Sequence, residues 1–168
     1  MREKRMTSKN TLLTIFLFIL LSSSFSFAQT IRPFDVGATI NARAKLTINS
    51  TTITFPDANP GTVPNIAASE NPVSVTSSAR SNFTVDLTVL ASGDLISGSD
   101  TIPITNITWT RTGTGYRNGT MNRTTPQLAG RWTGSGSRNG TFSYFLVNSW
   151  SYAKGSYTAT AIYTLTAP

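Results

Sequence analysis

Neither histidine nor cysteine occurs in this chain, and that absence decides most of what its side chains can do. Without histidine the commonest general base and the commonest zinc ligand are missing. Without cysteine there is no thiolate nucleophile, no thiolate metal site and no disulfide. What remains is carboxylates, hydroxyls and aromatic rings. Beyond residue 28 the acids are Asp35, Asp57, Glu70, Asp86, Asp94 and Asp100. Asp94 and Asp100 form the one close acidic pair on a single Gly-containing loop. Paired carboxylates hydrolyse glycosides, but Asp is also a preferred turn residue, and the turn reading is adopted here. The same pair, or Asp57 with Asn59, offers oxygen ligands without the spaced acidic pattern of a calcium loop, so no metal site is assigned. Serine and threonine abound, yet no base stands ready to activate them, and nothing supports a Ser-Lys pair built on Lys45 or Lys154. No catalytic residue and no cofactor is expected, and the chain does not read as an enzyme.

Aromatic side chains are the better binding candidates. Trp109, Tyr116, Trp132, Trp150 and Tyr152 fall near turns or strand ends, where rings can stack on sugars. Trp and Tyr also commonly seal the ends of a β-sandwich, and both readings stand open. Six Asn-x-Ser/Thr sequons, at Asn49, Asn82, Asn106, Asn118, Asn122 and Asn139, are of the number a Thr-rich chain produces by chance.

The elements that must hold these groups begin after a leader. Arg2, Lys4, Arg5 and Lys9 precede an apolar run from Leu12 to Leu21, and Ser26 and Ala28 close it with small residues. This is the pattern of a secretory signal peptide over residues 1–28, too short in its apolar part to span a bilayer. The expected mature chain, residues 29–168, suits one domain. It retains ten basic and six acidic side chains, a net charge of +4 against +7 for the whole chain. The basic residues are scattered along the sequence, which argues against nucleic-acid binding.

Alternation of apolar and polar residues then dominates. Val36, Ala38, Ile40, Ala42, Ala44, Leu46 and Ile48 share one phase, predicting a long strand with one buried face. Thr52–Phe55 and Pro72–Thr76 read as short strands around a turn-rich stretch, residues 56–64. Phe83, Val85, Leu87 and Val89 predict a core strand. Ile102–Trp109 follows, with Pro103 marking an edge or strand start. Thr141–Val147 is another strand. Gly155–Pro168 closes the chain, with Tyr157, Tyr163 and Leu165 on one face. Between these, Trp109 to Thr120 resembles Trp132 to Thr141: each copy runs from Trp through a Gly-rich segment to Arg-Asn-Gly-Thr. Asn-Gly tolerates positive φ, so each copy is expected to mark a hairpin turn. Short strands, frequent turn signals and no amphipathic helix predict an all-β, antiparallel β-sandwich in a single domain, Ig-like or pilin-like.

The closing segment, Tyr157-Thr-Ala-Thr-Ala-Ile-Tyr-Thr-Leu-Thr-Ala-Pro168, resembles the end of the WxL cell-surface domains. Those domains finish on a Tyr, an aromatic-x-Leu and a Pro, and they attach to Gram-positive cell walls. More loosely, the whole mature chain resembles bacterial pilin-type sandwiches, with Val36–Ile48 and Tyr157–Leu165 in the places of the first and last strands. The pilin resemblance implies polymerisation by a donated N-terminal strand. The expectation is a secreted surface or extracellular-matrix protein with a structural or adhesive role, forming a homopolymer or joining other surface proteins by β-strand pairing. Val36, Ile40, Leu46 and Ile48, with Tyr157, Tyr163 and Leu165 opposite, are its assembly candidates. The alternative is a non-catalytic carbohydrate- or cell-wall-binding module using the five aromatic residues.

Overall fold

The structure is a computed structural model that describes residues 35–168; the expected signal peptide lies outside the described residues. The chain divides into two units, Met1–Ala38 and Thr39–Pro168. The second is an all-β antiparallel sandwich, and no α-helix occurs among the described residues.

Period-two patterning builds its strands. β1 (Arg43–Ile48) pairs antiparallel with β3 (Val73–Arg80), and β3 with β10 (Gly136–Val147). In β3, Val73, Val75, Ser77 and Ala79 are buried while the residues between them face outward. β10 also pairs with β7 (Ile107–Arg111), and β7 with the short β8 (Gly119–Thr120). β2 (Asn65–Ala67) continues the position of β3 along β10. Between β2 and β3 the Asn71 side chain takes the place of a strand residue. Its Nδ2 donates to the Tyr144 carbonyl and its Oδ1 accepts from the Tyr144 N–H, both at 2.8 Å. The order of this first sheet is β1-β3-β10-β7-β8.

The second sheet has the order β11-β4-β9, formed by β4 (Thr84–Ala91), β9 (Gln127–Thr133) and β11 (Ala161–Thr166). A small hairpin, β5 (Leu95–Ser97) with β6 (Asp100–Ile102), and a 3-10 turn at Ile104–Asn106 join β4 to β7. The two inner faces meet in a core containing Val73, Val75, Leu87, Val89, Trp109, Phe142 and Tyr144. Burying such side chains contributes roughly 1.5–3 kcal/mol each and is what holds the sheets together.

Several expectations need correction. The long first strand is half its expected length: 36–42 are exposed and outside any strand. No strand forms over Thr52–Phe55, where Thr54 binds the Glu70 carboxylate through its N–H at 2.7 Å. That contact holds the Glu70 carboxyl below its usual range. Ile102–Trp109 is broken by the 3-10 turn after Pro103. The last strand begins only at Ala161. Phe83 keeps the phase of β4 but precedes it and is 66% exposed.

The Asn-Gly dipeptides are not turns either. No non-glycine residue among those described has positive φ, Asn118 and Asn139 included. The first copy does form a hairpin, but its turn is built on Gly113 and Gly115, both at positive φ. In the second copy β9 passes through Gly134 to the other sheet, and Asn139-Gly140 lies inside β10. What both glycines provide is room. A β-carbon at Gly119 would run into the Trp109 ring; one at Gly140 would meet the Tyr116 ring at 2.7 Å and the Thr112 carbonyl. Each glycine therefore faces an aromatic ring, and both rings, Trp109 and Tyr116, belong to the first copy.

Candidate functional site

The sandwich has two lateral sides, and they are finished differently. On one side the chain around Tyr116 bonds to β9: Arg117 N–H donates to the Ala129 carbonyl at 2.8 Å and Arg131 N–H to the Gly115 carbonyl at 2.7 Å. This seam joins the two sheets through main-chain bonds. Tyr116, buried beneath it, packs edge-on against Trp132 and Phe142, and its hydroxyl donates to the Arg138 carbonyl at 2.9 Å. Burial pushes that hydroxyl's pKa up.

On the other side β1 and β11 lie next to each other. β1 pairs only with β3, and β11 only with β4, among the described residues. Their outer N–H and C=O rows are therefore unpaired sheet edges. The two edges differ in charge. β1 carries Arg43 and Lys45, and a charged side chain on an edge discourages pairing with another chain. β11 reads Ala-Ile-Tyr-Thr-Leu-Thr and carries none.

β11 is fixed from within. Tyr163 stacks on Phe142 with ring centroids 5.9 Å apart, and its hydroxyl lies 2.8 Å from that of Tyr144 in the opposite sheet. Burial pushes the Tyr144 hydroxyl up to about 12 and raises Tyr163 as well. Leu165 packs with Ala79, Val85 and Trp132. Beyond the strand, Ser81 Oγ donates to the Pro168 carbonyl.

The structure sorts the assembly candidates into two kinds. Leu46, Ile48, Tyr163 and Leu165 pack against their own core, so they anchor the edge strands and are not offered to a neighbour. Tyr157 is half-buried outside β11, and its hydroxyl donates to the Ala153 carbonyl at 2.8 Å. Val36 and Ile40 are 83% and 71% exposed.

The aromatic candidates also separate. Trp109, Tyr116 and Trp132 are buried and present no ring face to a sugar. Trp109 Nε1 donates to the Arg117 carbonyl at 2.8 Å, and Trp132 Nε1 has no partner among the described residues. Trp150, by contrast, is 76% exposed beside Gly61. Its loop is pinned from both flanks. Asn148 Nδ2 donates to the Ala58 and Val63 carbonyls, and the Tyr152 hydroxyl donates to the Val147 carbonyl while accepting from Asn106 Nδ2.

Of the acids considered for chemistry, Asp94 serves as an internal acceptor. Asp94 Oδ1 accepts from Ile104 N–H at 3.0 Å and its Oδ2 pairs with Arg123 at 3.3 Å. Asn59 Oδ1 accepts from Gly61 N–H. Asp86, not singled out by sequence, forms a two-pronged ion pair with Arg131 at 2.6 and 2.7 Å. These bonds hold the Asp86 carboxyl below its usual range.

The fold and its open side define an all-β antiparallel sandwich domain with one charged and one uncharged edge strand. Compared with known proteins, the chain matches no family model and no curated protein. No helix among the described residues is long and apolar enough to cross a membrane.

Proposed function

We propose that the protein is a secreted structural subunit of a bacterial surface or extracellular matrix, assembling with copies of itself by β-strand pairing. The observation that supports this reading best is β11: six residues long, uncharged, and paired on one side only among the described residues. A long uncharged edge is an invitation to another strand, one that monomeric proteins usually block with Lys, Pro or a bulge. The matching donor is the stretch from Val36 to Ala42. It alternates apolar residues at Val36, Ala38, Ile40 and Ala42, lies in no strand, and is exposed. Main-chain bonds to β11 would provide affinity and the alternate side chains register. Because donor and acceptor are different surfaces, the contact is head-to-tail and propagates into a fibre.

Light scattering of the purified chain from Gln29 to Pro168 over a concentration series tests this. Assemblies that grow with concentration, and are abolished in Thr164→Lys, are expected. A compact monomer at every concentration contradicts the reading.

A second reading, a carbohydrate- or cell-wall-binding module, is favoured by Trp150 alone. An exposed indole on a loop held by fixed hydrogen bonds offers a flat apolar face to a sugar ring at little entropic cost. If this holds, Trp150→Ala loses retention on insoluble polysaccharide without loss of thermal stability. Unchanged retention removes it.

A further inference from the structure

The scattered basic residues of the sequence are not all scattered in space. Pairing of β1 with β3 sets Arg43 directly opposite Arg80, and Lys45 opposite Ser78. All three cations lie on the outward side of the first sheet, whose alternate residues Ala44 and Ala79 lie on the inward side. Together with Gly136 they line an open cleft of about 530 Å³ to which no carboxylate contributes among the described residues. The two ion pairs among those residues engage Asp94 and Asp86 elsewhere. Arg43, Lys45 and Arg80 join neither.

Like charges directly opposite each other on neighbouring strands destabilise a sheet. A surface built only for solubility intersperses the two signs. Here the register concentrates one sign at a cleft whose other lining residues, Ala44, Ser78, Ala79 and Gly136, are small and uncharged. We propose that this cleft binds the phosphate or sulfate esters of an anionic polysaccharide. Guanidinium groups match the paired oxygens of such esters, and three neighbouring cations lining one cleft supply more donors than one ester group can use alone. The neighbouring outward face supplies partners for sugar hydroxyls. Ser78 Oγ lies 2.9 Å from Ser137 Oγ, and Thr76 Oγ1 donates to Asn139 Oδ1 at 2.9 Å. No aromatic side chain lines the cleft, so it lacks the stacking platform by which single-stranded nucleic acid is held.

The test is titration of the purified protein, at low and matched ionic strength, with three probes: a sulfated hexasaccharide, a phosphorylated one and their unmodified parent. A thymidine oligonucleotide of equal charge serves as a fourth. Binding of one or both ester-bearing sugars, weakened about tenfold or more in Arg43→Ser/Arg80→Ser, is expected, and the arm that binds names the ester. That variant also relieves the facing like charges, so its melting temperature should be unchanged or higher, which separates lost binding from lost fold. The proposal is overturned by equal binding in the variant, by equal binding of the unmodified parent, or by tighter binding of the oligonucleotide.

Discussion

The two lateral sides of the sandwich are made from the same kinds of residue and reach opposite ends. On the closed side the main chain of residues 115–117 bonds to β9, and aromatic rings sit against Gly119 and Gly140. On the open side β11 is held by β4, by the inward grip of Tyr163 and Leu165, and by the Ser81 bond to Pro168 just beyond it. A domain of this size can close both sides. The closed side is sealed by main-chain bonds, whereas on the open side the outer edges of β1 and β11 are unpaired among the described residues.

That contrast can be broken from the closed side first. Gly140→Ala puts a methyl group against both the Tyr116 ring and the Thr112 carbonyl. Since one obstacle is backbone, relief is hard, and a loss of about 3 kcal/mol or more is expected, or roughly 10 °C in thermal melting. A change of less than a degree would mean the seam is softer than its geometry.

The grip on β11 comes next. Tyr163→Phe keeps the stacked ring and leaves the buried Tyr144 hydroxyl without its partner. About 1–3 kcal/mol should be lost in denaturant unfolding. The same pair sets the alkaline limit. Both hydroxyls have raised folded-state pKa values, so their stabilising effect is complete below the unfolded value of about 10 and falls as pH climbs through the value of about 12 for Tyr144. In Tyr163→Phe that decline should be shallower.

Smaller effects belong to the outer faces. The Asp86 carboxyl is depressed by Arg131, so its contribution is present above about pH 4 and lost as pH falls through the folded value. Asp86→Asn should lower the melting temperature near neutrality by at most about 4 °C, since the pair is partly solvent-exposed. It should also flatten the acid limb. Thr164→Lys should be smallest of all in stability, within about 0.5 kcal/mol, while having the largest effect on assembly. Stability and assembly would then prove separable, as the comparison of the two sides requires.

Much of the fold was legible because a half-buried strand writes its burial into every second residue. β4 stands where alternation placed it, although Phe83 shows the same phase running one residue past the sheet that would cover it. β3 and β10 run past the stretches read as strands, to Arg80 and back to Gly136, while β11 starts later, at Ala161. The first strand was overread for a related reason. Alternation from Val36 to Ala42 reports a face suited to burial, and burial requires a partner that local sequence does not specify. The Asn-Gly pairs misled because glycine answers two needs, positive φ and empty space, and only the rings beside Gly119 and Gly140 show which one applies. Trp109 and Trp132 could not be told from Trp150 without knowing which loops the core reaches. The cation cleft was invisible for a simpler reason: Arg43 and Arg80 are far apart in the chain and meet only through strand register.

If β11 accepts the Val36–Ala42 segment of another copy, mixing two complementary variants isolates that contact. One variant, Val36→Lys/Ile40→Lys, spoils the donor; another, Ile162→Lys/Thr164→Lys, spoils the acceptor. Light scattering should find each variant monomeric alone and the equimolar mixture dimeric, with nothing larger, because a mixed pair has one intact contact and both free ends are spoiled. A mixture that stays monomeric, or a wild-type chain that never assembles, would contradict the account.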